Sequence, residues 1–142
     1  MNKISLFKGK YYFLSNFFIV NVPYNGLVFT NSEAAFQSAK CINYEDRKKF
    51  IDLNPSDAKK IGRKVSLRYD WEKVKYQIMH DVVYNKFYYN KDLTKLLLDT
   101  GNTYLEEDNT WHDTEWGVCN GIGKNYLGKI LMQVREELKN IK

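Results

Sequence analysis

Two cysteines, two prolines and two histidines are all that this chain of 142 residues holds of each. Cys41 and Cys119 stand far apart, with no Cys-x-x-Cys and no histidine-rich neighbourhood. That argues against a disulfide-stapled scaffold and against a zinc ribbon, and the expectation is two reduced thiols in a cytoplasmic protein. With so little proline, and no Gly/Ser-rich or low-complexity run, no linker is visible, so one domain over residues 1–142 is expected. Long apolar runs are missing too. The most apolar N-terminal stretch, FFIV at 17–20, is too short to span a membrane and lacks a cleavage pattern, so no membrane association is expected. His80 and His112 have no serine or cysteine partner in local register and no grouped co-ligands. A hydrolytic triad and a metal centre are both read against, and neither metal nor cofactor is expected.

What the chain does have is rings and a local positive charge. Aromatic residues make up 15% of it (11 Tyr, 8 Phe, 3 Trp), enough to line a core or a pocket. The net charge is +5, and residues 40–64, with eight basic and four acidic side chains, carry +4 of it. A local basic surface suits a phosphate-bearing partner, although most such lysines simply solvate a helix.

Periodicity gives an α+β fold, mostly helical with a small sheet. Strands are expected at 10–14 and 18–22, then a Tyr24-Asn25-Gly26 turn and a return strand at 27–29. Ser32 can cap a helix running to about residue 42, and a second helix is expected at 45–53. Asn54-Pro55 opens a third, stopped by Gly62. Asp70 can cap a long helix from Trp71 to about Tyr89, with Trp71, Val74, Ile78, Val82 and Phe87 inward. Further helices are expected at 92–100, before Gly101, and at about 126–140.

The stretch TNSEAAFQSAK (30–40) places Glu33, Phe36/Gln37 and Lys40 on one helical face: an acid, an aromatic, an amide and a base. On spacing alone this is an ordinary surface ion pair. The segment DTEWG (113–117) gathers a carboxylate, an indole and a glycine off any periodic face, where sites tend to lie. Asp113 can orient a sugar hydroxyl or water and Trp116 can stack on a flat ring. From this motif alone, a loop acid beside a core-plugging indole is the plainer reading. GIGKNYLG (121–128) resembles an anion cradle before a helix but lacks the register of the known phosphate-binding fingerprints, and Asn125 can simply cap that helix.

A set of motifs in one order goes further: FLSNFF (13–18), SEAAFQSAK (32–40), IGRKV (61–65), DW (70–71), KF (86–87), LLLDTGN (96–102), DTEWG (113–117) and GKNYLGKILMQVR (123–135). The sequence resembles the NADAR domain family, also called YbiA-like, from about Phe7 to Arg135. Two departures stand out. Ala34 occupies the place where the family helix commonly has histidine, and Val118-Cys119-Asn120 follows Trp116-Gly117 in a segment that varies among members.

The resemblance implies a YbiA-like fold and cleavage of N-glycosidic bonds. The substrates it implies are ribosylated, phosphorylated heterocycles such as early riboflavin-pathway intermediates, or ADP-ribosylated guanine in DNA. Taken with that, Glu33, Asp113 and Lys40 are the catalytic candidates. Asn16, Arg63, Trp71, Trp116, Gly117 and Asn125 are the substrate-binding ones. Cleaving C1′–N builds positive charge on the sugar, which a carboxylate can stabilise while it aligns water. Lys40 can bind phosphate, tune Glu33, or attack as an amine if its proton affinity is lowered. Trp71 can equally be core, Arg63 a helix C-cap and Asn16 a turn residue. Two other classes stay open: a silent ADP-ribose or nucleotide sensor, and a DNA-associated protein.

Overall fold

A computed structural model describes residues 2–141. The chain falls into two compact units, residues 16–90 and the pair of segments 1–15 and 91–142.

Within residues 16–90, β2 (Ile19–Tyr24) and β3 (Leu27–Asn31) form an antiparallel hairpin. Asn25 and Gly26 both take positive φ, 52° and 79°, the pairing that a tight two-residue turn with the right twist requires. Four helices follow: α1 (Ser32–Ser38), α2 (Tyr44–Lys48), α3 (Pro55–Gly62) and α4 (Trp71–Tyr88). The hairpin, α3 and α4 all pack on α1. Val22, Phe29, Ala34, Ala35, Phe50, Ala58, Val82, Val83 and Phe87 are at most 1% exposed, and form the core of this unit. Asn85 and Asn90 tie α4 back to the hairpin by donating to the carbonyls of Pro23 and Asn21.

In the other unit, β1 (Lys3–Ile4) pairs in parallel with β4 (Tyr104–Leu105), and α5 (Lys91–Asp99) packs against α6 (Tyr126–Lys139). Gly101 follows α5 at φ 64°, the left-handed stop expected there.

Helix positions agree with the sequence reading and several ends do not. Residues 10–14 are not a strand but lie in a 3-10 turn, Gly9–Leu14. Phe13 and Leu14 are both buried, which a strand with one covered face cannot achieve for neighbours. Helix α1 stops at Ser38 because the chain tightens into i→i−3 bonds, from the amides of Lys40 and Cys41 to the carbonyls of Gln37 and Ser38. Helix α2 is likewise a single short stretch and not one reaching residue 53. Among the described residues no helix is long and apolar enough to cross a membrane.

Candidate active site

Helix α1 is wholly buried, and its start is built by the hairpin. Asn31, the last residue of β3, caps the helix: its Oδ1 accepts from the Ala34 amide at 2.7 Å while its Nδ2 donates to the Leu53 carbonyl at 3.0 Å. Ser32, the expected cap, instead has an Oγ that is buried with no hydrogen-bond partner. A cap residue must precede the helix in extended geometry, and Asn31, at φ −168°, holds that position. The cap sets Glu33 in the first turn, and the Glu33 amide donates to the Asn16 carbonyl at 3.1 Å. Asn16 also reaches Met79 Sδ on α4 with its Nδ2, at 3.4 Å.

Glu33 as a residue is 9% exposed, and its carboxylate accepts from Gln37 Nε2 at 2.6 Å. The amide of Gln37 lies against Gly62, where a Cβ would come within 1.9 Å of Gln37 Oε1. A side chain at position 62 would have to displace the Gln37 amide. The Oε1 atom itself is buried and unpartnered, a situation that ordinarily costs about 1–3 kcal/mol.

One turn further on, Lys40 Nζ donates to the Gly62 carbonyl at 3.3 Å and lies 5.8 Å from the centre of the Trp71 ring. Phe36 flanks the same indole, with ring centroids 5.1 Å apart. Burial lowers the Lys40 ammonium from its ordinary value; the charge of Glu33 opposes that shift and the guanidinium of Arg63 adds to it. Arg63 occupies the C-cap position of α3, the placement that the capping reading anticipates. Asn16, Glu33, Lys40, Arg63 and Trp71 thus all belong to the unit of residues 16–90.

Two residues there were given no role from the sequence. Arg68 donates a fork to Asp70, 2.6 Å from Nε to Oδ1 and 3.2 Å from Nη2 to Oδ2, and its Nη1 reaches the Ala39 carbonyl at 3.3 Å. The Arg68 amide bonds the Lys40 carbonyl at 3.0 Å, so this segment fixes the backbone of Lys40. The pairing also uses Asp70, which makes no capping bond to α4, and it holds the Asp70 carboxyl below the usual carboxylate range. The other residue is Lys86. It is 1% exposed, with its ammonium 5.7 Å from the Phe18 ring and 5.1 Å from the Phe87 ring, and burial pushes its pKa down to about 7. Lys86 lies seven positions, two turns, beyond Met79 on α4. The signal was present in sequence: position 86 continues the buried stripe of Met79, Val82 and Val83.

Asp113, Trp116, Gly117 and Asn125 belong to the other unit. Asp113 Oδ1 accepts from the amides of Glu115 and Trp116, at 3.1 and 2.9 Å, and closes the DTEWG turn. Asn109 braces it, donating to the Asp113 carbonyl and accepting from its amide. Gly117 leaves no room for a Cβ beside Glu107. Trp116 meets the Tyr126 ring edge-on at 6.4 Å. Asn125 makes no side-chain cap; its amide group bonds the Leu105 carbonyl at 2.9 Å and the Glu107 amide at 2.9 Å. The amides of Lys124, Asn125, Tyr126 and Leu127 donate to the carbonyls of Thr114, Gly117, Glu115 and Trp116. The N–H groups of an anion cradle at the start of α6 are therefore already taken by the DTEWG turn.

His112 Nδ1 is 3.9 Å from Cys119 Sγ, the one histidine–thiol approach seen among the described residues. Among those residues, no three His, Cys, Asp or Glu side chains are placed to share a metal ion.

The chain is an α+β protein with a buried carboxylate–amide pair on α1 and a partly desolvated lysine one turn beyond it. The chain belongs to the NADAR domain family, whose model matches residues 6–139. It is 38% identical over 128 residues to N-glycosidase YbiA of Shigella boydii, covering 87% of this chain and 79% of that protein. It is 44% identical over 90 residues to N-glycosidase Npun_R5314 of Nostoc punctiforme, 61% of this chain and 57% of the relative. It is 34% identical over 131 residues to Riboflavin biosynthesis protein VVA0006 of Vibrio vulnificus, covering 89% of this chain but 35% of that longer protein. The NMR structure of Escherichia coli YbiA superposes with a TM-score of 0.85 at 33% identity, over 98% of this chain and 87% of that one. The match confirms the YbiA-like fold expected from the motifs.

Proposed function

We propose that this protein is an N-glycosidase that hydrolyses the C1′–N bond of a ribosylated, phosphorylated heterocycle, with an early riboflavin-pathway intermediate as the substrate class. The observation that carries the reading is the buried Glu33 carboxylate, held by Gln37 at 2.6 Å and charge-coupled to Lys40. The names of the N-glycosidase and riboflavin-biosynthesis relatives support the bond and the substrate class.

Departure of the heterocycle leaves positive charge on C1′. Glu33 stabilises that charge and draws a proton from the attacking water, whose oxygen bonds to C1′ while the departing nitrogen takes up a proton. Lys40 and Arg63 supply the cations for phosphate, and Trp71 the ring face. In the other unit, Asp113 orders the 113–117 turn that carries Trp116 and Gly117, and the Asn125 amide donates to the Gly117 carbonyl.

The test is product analysis by mass spectrometry for wild type and Glu33→Gln. Wild type should release ribose 5-phosphate from the riboflavin-pathway intermediate. Glu33→Gln should lose turnover at least about 100-fold with affinity changed only a few-fold, the pattern of a group acting in the transition state. ADP-ribose released from ADP-ribosylated DNA would reassign the substrate. Binding without turnover of either would make the protein a nucleotide sensor.

A further inference from the structure

A lysine carries its charge on a flexible four-carbon stem, so what holds its backbone and what meets its tip decide where the ammonium stands. The Lys40 backbone is held on both sides. Its amide donates to the Gln37 carbonyl at 3.1 Å, and its carbonyl accepts from the Arg68 amide at 3.0 Å. The tip meets the Gly62 carbonyl at 3.3 Å and stands 5.8 Å from the centre of the Trp71 ring. Arg68 is bonded through each of its polar groups. Besides the amide, its carbonyl accepts from the Trp71 amide at 3.3 Å, its Nη1 reaches the Ala39 carbonyl, and its Nε and Nη2 grip Asp70. One side chain and its own peptide groups therefore join the backbone that carries the ammonium to the residue that carries the indole. Asp70 occupies the N-cap position of α4, where a carboxylate ordinarily accepts from the first amides of the helix. It makes no such bond and turns to Arg68 instead. A local stabilising bond is given up for one that ties the exit of α1 to the start of α4, and such departures from local rule collect at functional sites.

We propose that Arg68, held in its pose by Asp70, is the positioning residue of Lys40: it sets the place of the ammonium between the Gly62 carbonyl and the Trp71 ring. The charged and titratable groups acting on that ammonium are Glu33 on α1, Arg63 at the end of α3 and the adjoining Cys41. Arg68 acts on it through the backbone, by fixing the root of the stem. The consequence for substrate, a phosphate met by an ammonium at a set distance from a ring, rests on the N-glycosidase reading. The placement of Lys40 does not.

The experiment is an NMR titration of the Lys40 Cε and Nζ signals in the full chain without substrate, assigned with Lys40→Met, for wild type, Arg68→Lys and Asp70→Asn. Arg68→Lys keeps the charge and loses the fork and the bond to Ala39. In both variants the Lys40 midpoint, lowered by burial in wild type, should rise toward the ordinary 10.5 as the freed ammonium reaches water. For Asp70→Asn the sign is decisive, because deleting a negative charge would by itself lower the midpoint. In wild type the Lys40 ε protons should be displaced upfield by the indole, a readout that needs no variant to fold. With the riboflavin-pathway intermediate, Arg68→Lys should raise KM about tenfold or more with kcat within about threefold. In a Lys40→Met background the same change should alter KM by no more than about twofold, since Arg68 then has no ammonium to place. Wild-type ε protons at ordinary shifts, or an unmoved Lys40 midpoint in a folded variant, overturn the proposal. So does a KM loss that persists undiminished without Lys40. The titration is read without substrate, so an inactive protein would sink the N-glycosidase reading and leave this result standing.

Discussion

At the scale of single residues, Lys86 sets a measurable pH dependence. In the unfolded chain it stays protonated up to its ordinary value near 10.5; in the fold, only up to about 7. Between those values folding releases a proton, so stability rises with pH through the window, and the penalty is complete below about 7. Lys86→Met should therefore gain most over wild type at pH 7, and the gap should narrow toward pH 9.5 at up to about 1.4 kcal/mol per pH unit. Urea midpoints at a series of pH values check this, and parallel curves for the two proteins would refute it. The sequence disclosed the acid, amide and base of 33–40, because helical spacing puts them on one face. Lys86 was passed over although it continues the stripe of Met79, Val82 and Val83, since a lysine beside apolar residues reads as snorkelling to water; Arg68 was not disclosed, because a loop arginine carries no periodicity at all. That the Gln37 side-chain oxygen lies unpartnered beside Gly62, from a different helix, is held by no local pattern.

At the scale of elements, α1 depends on a cap that comes from the preceding strand. Asn31→Ala removes both the bond to the Ala34 amide and the bond to the Leu53 carbonyl. It should destabilise the protein by about 1–2 kcal/mol, seen as a Tm several degrees lower. Ser32→Ala, which deletes a buried hydroxyl without a partner, should stay within about 0.5 kcal/mol of wild type or exceed it. A larger loss for Ser32→Ala than for Asn31→Ala would reverse the assignment of the cap. Helix cores were legible from their period, and α3, with Asn54 capping and Pro55 at its first position, agreed at both ends. Ends governed by tertiary contacts were not. The 3-10 tightening after Ser38 and the burial of adjacent Phe13 and Leu14 follow from what packs on them, not from local propensity.

At the scale of the whole chain, residues 16–90 are a continuous unit, whereas the other unit is assembled from segments that flank it. The pairings Lys3↔Tyr104 and Ile4↔Leu105 join stretches from opposite ends of that interruption, and the Glu106 amide donates to the Ile4 carbonyl at 2.9 Å. Contacts so distant in sequence form slowly, because the loop must close before they stabilise anything. In pulse-labelled refolding, the Glu106 amide should gain protection after the amides of α1 and α4. Simultaneous protection would mean that the β1–β4 pairing belongs to the nucleus. The parallel pairing has a further consequence during synthesis. The β1 arm leaves the ribosome before any of the hairpin or α1–α4, yet its partner strand emerges after all of them. Until then it is a nascent edge with no template, exposed to any other strand nearby, and chaperone contact at Lys3–Ile4 is where the cell would meet that hazard.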